Sequence, residues 1–162
     1  DLFICRDVGN IVPPYGEMLG GVSATIEYAV CVLKVRHVII CGHSDCGAMQ
    51  GVLDYRRVDR LPNVTAWLRY SRLALEEVER SLPHDAPHDQ RLLALIRANV
   101  VQQVDHLHTH PSVAESLRAG QLLVHGWTYD IPNGTVEALD VESGQFVPLE
   151  QQRIPMLVEP PK

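Results

Sequence analysis

Apolar positions along this chain repeat with two different periods, and the change from one to the other marks out the elements. Leu2-Phe3-Ile4-Cys5 is a continuous apolar run and reads as a short buried strand. The polar turn Arg6-Asp7-Val8-Gly9-Asn10 follows, then Ile11-Val12-Pro13-Pro14-Tyr15, which proline holds extended. After the Gly20-Gly21 hinge, with Ser23 or Gly21 as cap, Ile26, Ala29, Val30 and Leu33 fall at helical spacing and predict a helix over 24–35. Residues 37–41, with the β-branched run Val38-Ile39-Ile40, predict a central strand covered on both faces. Strand, helix, strand in that order implies a right-handed parallel crossover.

The second half reads more simply. A short helix is expected over 46–53, another from Val64 with Trp67, Leu68 and Leu73 on its apolar side, and its continuation over 75–82 up to Pro83. Residues 83–89 are a proline-containing loop, so His84 and His88 belong to a solvated segment. Leu92, Leu93, Ile96, Val100, Val104 and Leu107 give 90–107 a clear amphipathic face. His106, His108 and His110 alternate, a poor spacing for one metal on a helix, and suit its C-terminus. Ser112 can cap a short helix over 113–118 that Gly120 ends. A strand over 121–127 and an Asn133-Gly134 turn between 127–131 and 135–141 predict a closing antiparallel hairpin. The tail beyond Gly144 reads as irregular wrapping.

The resulting fold class is α/β: a central, mostly parallel sheet with an antiparallel edge hairpin, flanked by helices. With 162 residues and no linker or repeat, residues 1–162 form one domain. A net charge of −6 argues against a nucleic-acid partner, since Asp54 and Asp59 dilute the Arg56, Arg57 and Arg60 patch. No apolar run approaches the roughly 20 residues of a membrane span, and no signal peptide is visible. Four cysteines scattered in helix and strand do not form a disulfide frame, which points to a reduced, cytoplasmic setting.

Candidate chemistry sits just past the central strand, in Cys41-Gly42-His43-Ser44-Asp45-Cys46-Gly47. Ligand-bearing loops of open α/β sheets lie at the carboxyl ends of strands. His43 and Cys46 can reach one ion if the backbone turns into a helix between them, and imidazole with thiolate favours zinc. Two ligands do not hold a zinc alone. Cys41 is the nearest extra thiol, but its short bite with His43 disfavours a tetrahedral site. The plain alternative is a hydrogen-bonded loop histidine and a cysteine acting as a small buried hydrophobe.

Several ordered motifs resemble the β-class carbonic anhydrases. They are Asp1-Leu2-Phe3, Arg6-x-x-Gly9-Asn10, Gly21-x-Ser23-x-x-x-Glu27-Tyr28-Ala29-Val30, and the Cys41 to Gly47 stretch. Trp67-Leu68-Arg69, Glu77, Asn99-Val100, Thr109-His110-Pro111-Ser112-Val113 and His125-Gly126-Trp127-x-Tyr129-Asp130-Ile131 continue the match. The resemblance implies reversible hydration of CO2 to bicarbonate and a proton by a zinc-bound hydroxide, in a homodimer or higher even-numbered oligomer. It implies His43 and Cys46 as two zinc ligands. Phe3, Val8 and Tyr28 would form an apolar CO2 pocket built across a dimer interface, and Gly47 a backbone donor to a substrate oxygen. Without the resemblance, Phe3, Val8 and Tyr28 would read as ordinary core.

The class takes its first zinc ligand from a C-x-D-x-R motif, which this chain does not contain. That cysteine and the Asp-Arg pair are therefore expected upstream of Asp1, and the chain alone is expected to be inactive. Cys5 and Cys31 lie in the wrong context to substitute. Asp7 stands where relatives commonly carry asparagine. Two other readings compete: a non-catalytic dimeric relative, and a hydrolase of carbonyl sulfide or carbon disulfide on the same scaffold.

Overall fold

A computed structural model describes residues 2–18, 20–152 and 154–157. Ten regular elements follow one another: α1 (Gly21–Cys31), β1 (His37–His43), α2 (Gly47–Leu53), α3 (Pro62–Leu68), α4 (Arg72–Ser81), α5 (His88–His108), α6 (Pro111–Arg118), β2 (Leu123–Asp130), β3 (Thr135–Leu139) and β4 (Phe146–Pro148). The sheet runs in the order β1-β2-β3-β4. β1 and β2 are parallel, with Ile39 opposite His125 and His43 opposite Tyr129. β2–β3 and β3–β4 are antiparallel.

The long helix α5 is the organising element, because it packs on both parallel strands. Its buried positions are Leu92, Leu95, Ile96, Asn99, Val100, Gln102, Gln103 and Leu107. Leu93, expected inward, is 42% exposed, and Leu95 takes its place at 0%. The stripe is thus rotated slightly and carries three amides among the hydrocarbons. Gly42 and Gly126 give α5 its close approach: a Cβ built on either would fall 2.9 Å from a methyl of Val100.

Several expectations shift. Residues 2–5 form no strand, and Leu2, Phe3 and Ile4 are 85%, 52% and 69% exposed. A cavity lies between this segment and β1, so among the described residues no neighbouring strand offers it main-chain partners. β1 is accordingly the edge of the described sheet rather than its centre, and Cys41 on it is exposed rather than buried. The strand–helix–strand crossover expected from residues 2–5 is absent with that strand. Helix α1 stops at Cys31, short of Val35. Lys34 adopts a left-handed φ of 54° and the Val35 N–H reaches back to the Ala29 carbonyl, a helix-closing turn.

The second apolar face also moves. Leu73 is 55% exposed, while Tyr70, Ala74 and Val78 are buried. Helix α6 begins with Pro111 after His110, and Ser112 makes no cap bond. The hairpin loop is four residues rather than two. Gly134, at φ 66°, donates its N–H to the Asp130 carbonyl at 2.8 Å, and the Asn133 side chain bonds Asp130. The tail is not wholly irregular: Phe146–Pro148 adds β4, paired against Glu137–Leu139 of β3.

Candidate metal centre

β1 ends at His43, Ser44-Asp45 makes the turn, and Cys46 is the residue from which α2 starts. The turn is secured from the neighbouring strand: Ser44 donates its N–H to the Tyr129 carbonyl at 2.9 Å, and its Oγ accepts the Ile131 N–H at 2.9 Å. Asp45 takes a left-handed φ of 55°, which brings the chain round sharply. Gln50 on α2 donates its side-chain amide to Asp45, and accepts from Arg57 at 2.9 Å. Asp45, Gln50 and Arg57 therefore brace the turn that separates the two candidate ligands. Sequence reasoning missed this brace, whose only trace was an amide one helical turn past Cys46.

The His43 ring sits exposed, with Nδ1 2.8 Å from the Ser44 carbonyl. A carbonyl only accepts, so Nδ1 carries the proton and Nε2 keeps its lone pair for a ligand or solvent. The same arrangement, a ligating histidine donating its other nitrogen to a carbonyl, orients metal-bound imidazoles generally. Cys46 is 4% exposed, packed with Met49, Ala74 and Leu95. Gly47 opens α2, and a Cβ there would meet nothing within 4 Å. Its N–H is one of the first-turn amides that have no intrahelical acceptor.

The donors suit zinc in kind, being one imidazole nitrogen and one thiol, but not in number. Among the described residues no group of three or more His, Cys, Asp or Glu side chains can hold a metal ion.

Phe3 and Tyr28 come together, their ring centroids 6.2 Å apart. They are 52% and 51% exposed and Val8 is 49% exposed, so none of the three is core of this chain. Val8 is held through its backbone, its carbonyl accepting the Trp67 indole N–H at 2.8 Å. Phe3 lines a cavity of about 690 Å³ between residues 2–5 and β1, together with Ile26, Ile39, Cys41 and Trp127. A second, open groove of about 810 Å³ runs past Ser44, Asp45, Arg97, Tyr129 and Glu137. His43 and Cys46 line neither.

The loop bearing Val8 and Gly9 is tied to α5 by buried amides. Asn99 donates to the Gly9 carbonyl at 3.0 Å, and Gln103 accepts the Val12 N–H at 2.9 Å. His106 Nδ1 donates to the Val12 carbonyl, 2.8 Å away, and His110 Nε2 to that of Pro13 at 3.0 Å. These two histidines anchor the Val12-Pro13 segment. The detectable signal was a set of polar residues inside the apolar stripe of α5.

The fold of this chain and its sequence both have counterparts among known proteins. A family model described as carbonic anhydrase matches residues 1–136. The chain belongs to the β-class carbonic anhydrases.

It is 47% identical over 151 residues to a carbonic anhydrase of Pseudomonas aeruginosa, covering 93% of this chain and 68% of that protein. It is also 47% identical over 145 residues to carbonic anhydrase 1 of Escherichia coli O157:H7, covering 89% of this chain and 65% of that protein. The chain thus spans about two thirds of the length of these relatives. Among solved structures, a β-carbonic anhydrase superposes with a TM-score of 0.89 at 37% identity, covering 95% of this chain and 69% of the other. A tetrameric β-carbonic anhydrase of Sordaria macrospora gives 0.75 at 30% identity, covering 91% and 70%.

Proposed function

We propose that this chain carries most of a zinc-dependent carbonate dehydratase, in which His43 and Cys46 are two of the metal's ligands. The observation that carries this reading is the pairing at the end of β1. The proton of His43 is committed to the Ser44 carbonyl, leaving Nε2 free, and Cys46 follows a turn braced by Asp45, Gln50 and Arg57. Zinc, when bound, supplies a nucleophile at neutral pH by acidifying water. The chain's own residues orient and enclose. Ser44 and its bonds to β2 hold the imidazole, and the α2 packing holds the thiol. The Gly47 N–H, free of an intrahelical acceptor, suits an oxygen of bicarbonate.

The third donor and the Asp-Arg pair are assigned to a segment preceding Asp1. Phe3, Val8 and Tyr28, exposed apolar side chains, are assigned to a CO2 pocket closed by a second copy of the chain. That makes a homodimer or a larger even-numbered assembly the working form. The four free cysteines fit a reducing, cytoplasmic compartment, and among the described residues no helix is long and apolar enough to cross a membrane.

The test compares the natural gene product with its upstream segment, this chain alone, and His43→Ala and Cys46→Ala in the longer form. Zinc content and CO2 hydration are both measured. The longer form should hold about one zinc per chain. Each substitution should weaken zinc by at least about 100-fold, beyond the 10–100-fold typical of outer partners. Full zinc retention and full activity in both variants would overturn the assignment.

A further inference from the structure

We propose that Trp67 is a positioning residue for substrate capture: its indole N–H fixes Val8, the side chain assigned to the CO2 pocket that a second copy closes. The inference rests on that pocket assignment and adds to it a residue that does not itself touch the substrate.

The loop around Val8 is held from three sides. Trp67, in α3, donates its indole N–H to the Val8 carbonyl at 2.8 Å. Asn99, in α5, donates to the carbonyl of the next residue, Gly9, at 3.0 Å. Gly9 itself, at a left-handed φ of 84°, leaves room for α2: a Cβ there would fall 3.1 Å from that of Ala48. The Val8 side chain is nonetheless 49% exposed. A backbone this firmly tethered presents its side chain with little freedom left to lose when a ligand arrives.

Among these tethers Trp67 grips Val8 itself, and its ring is aimed. Tyr70 meets it edge-on, with centroids 6.0 Å apart and planes at 81°. Tyr70 is buried, and its hydroxyl accepts from Arg69 at 2.7 Å. An indole serving only as bulk would need no carbonyl in line with its N–H. CO2 is uncharged and offers few polar handles, so the place of an apolar wall decides how well it is held. Moving that wall weakens capture and leaves the nucleophile alone, which raises KM and spares kcat.

The experiment uses the natural gene product with its upstream segment. Trp67 is changed to Phe and, site-specifically, to benzothienylalanine, which keeps the shape of the indole and replaces its N–H by sulfur. Both changes are also made in a Val8→Ala background. Zinc content, melting temperature, and kcat and KM for CO2 are measured, and the methyl signals of Val8 are followed in isotope-labelled protein. Each change at Trp67 should raise KM at least about three-fold with kcat within about two-fold, since small displacements of positioning groups cost rate steeply. Zinc should stay at about one per chain. The Val8 methyl signals should shift, while those of Val12, held by Gln103, should not. In the Val8→Ala background the same changes should leave KM where Val8→Ala alone puts it. Lower melting temperatures with an unmoved KM would make the bond a structural tie and overturn the proposal, as would an undiminished effect in the Val8→Ala background. An unfolded Phe variant leaves the isosteric one to decide. A parent without zinc or CO2 hydration overturns the dehydratase reading and this inference together, whereas an active parent with an unmoved KM in the isosteric variant overturns this inference alone.

Discussion

Gly42 of β1 lies so close to Val100 of α5 that a Cβ added to the glycine would come within 2.9 Å of the valine Cγ2, and 3.0 Å from Ile96 Cγ2. Gly126 on β2 makes the same approach to the other Val100 methyl. Helix and sheet can touch here only because two neighbouring strands each omit a side chain at the point of contact. Gly42→Ala should destabilise the fold by about 1–3 kcal/mol, the usual cost of overpacking. Adding Val100→Ala should recover part of that loss. Thermal denaturation of both singles and the double gives the coupling, and strictly additive losses would refute the contact.

Gln103 is fully buried and makes four polar contacts. Its Oε1 accepts from the Val12 N–H and from His106 Nδ1, and its Nε2 donates to the Tyr70 carbonyl and to Asn99 Oδ1, each at 3.0 Å. Gln103→Leu keeps similar bulk and strands these partners. At about 1–3 kcal/mol per buried unsatisfied group, the loss should exceed about 2 kcal/mol. Chemical denaturation should show it as a lower midpoint with an unchanged slope.

Asp7 is half-buried, and burial pushes its carboxyl above the usual range even though the Ile11 N–H donates to it at 2.8 Å. A carboxyl raised on folding binds protons better in the native state. Its contribution is therefore present at low pH and is lost as pH rises through the folded value. Asp7→Asn keeps an acceptor for Ile11 and removes the buried charge. The variant should melt higher than the parent at pH 7, with the difference shrinking toward pH 4. A constant offset across that range would contradict this reading.

His125 and His37 stack on adjacent strands, His125 Nε2 lying 3.0 Å from His37 Nδ1. Burial first, and then the charge of His37, lower the His125 value below the ordinary histidine range. The unfolded chain binds a proton here before the folded one does. Stability should consequently fall as pH drops from about 7 through the unfolded histidine value near 6.5. His125→Gln should flatten that part of the melting profile, and an unchanged profile would remove His125 as its source.

The helices from α2 to α6 and the closing hairpin were legible because each carries its own period and its own breakers, such as Pro83, Pro111 and Asn133-Gly134. The match to the carbonic anhydrases was legible because its motifs recur in order along the chain. What eluded a one-dimensional reading was what depends on neighbours. Residues 2–5 have strand composition, but a strand needs a partner, and the cavity beside β1 supplies none. β4 was hidden because three residues, Phe146-Val147-Pro148, carry too little pattern to stand out. Phe3, Val8 and Tyr28 look like core by composition and are exposed in fact. Asn99 and Gln103 interrupt an apolar stripe because the folded Gly9–Val12 loop lies across from them, and Gln102 because it accepts the Ala74 N–H of α4.

The clasp between the two loops has a practical corollary for protein engineering. The tip at Ile131 to Gly134 looks like an open place to graft a tag or an epitope, since its residues are exposed. Yet Ile131 gives its amide hydrogen to Ser44, next door to His43. Lengthening that tip would loosen the imidazole from a distance, so grafts belong at Val141-Glu142 between β3 and β4, which are exposed and lie away from the turn that carries His43.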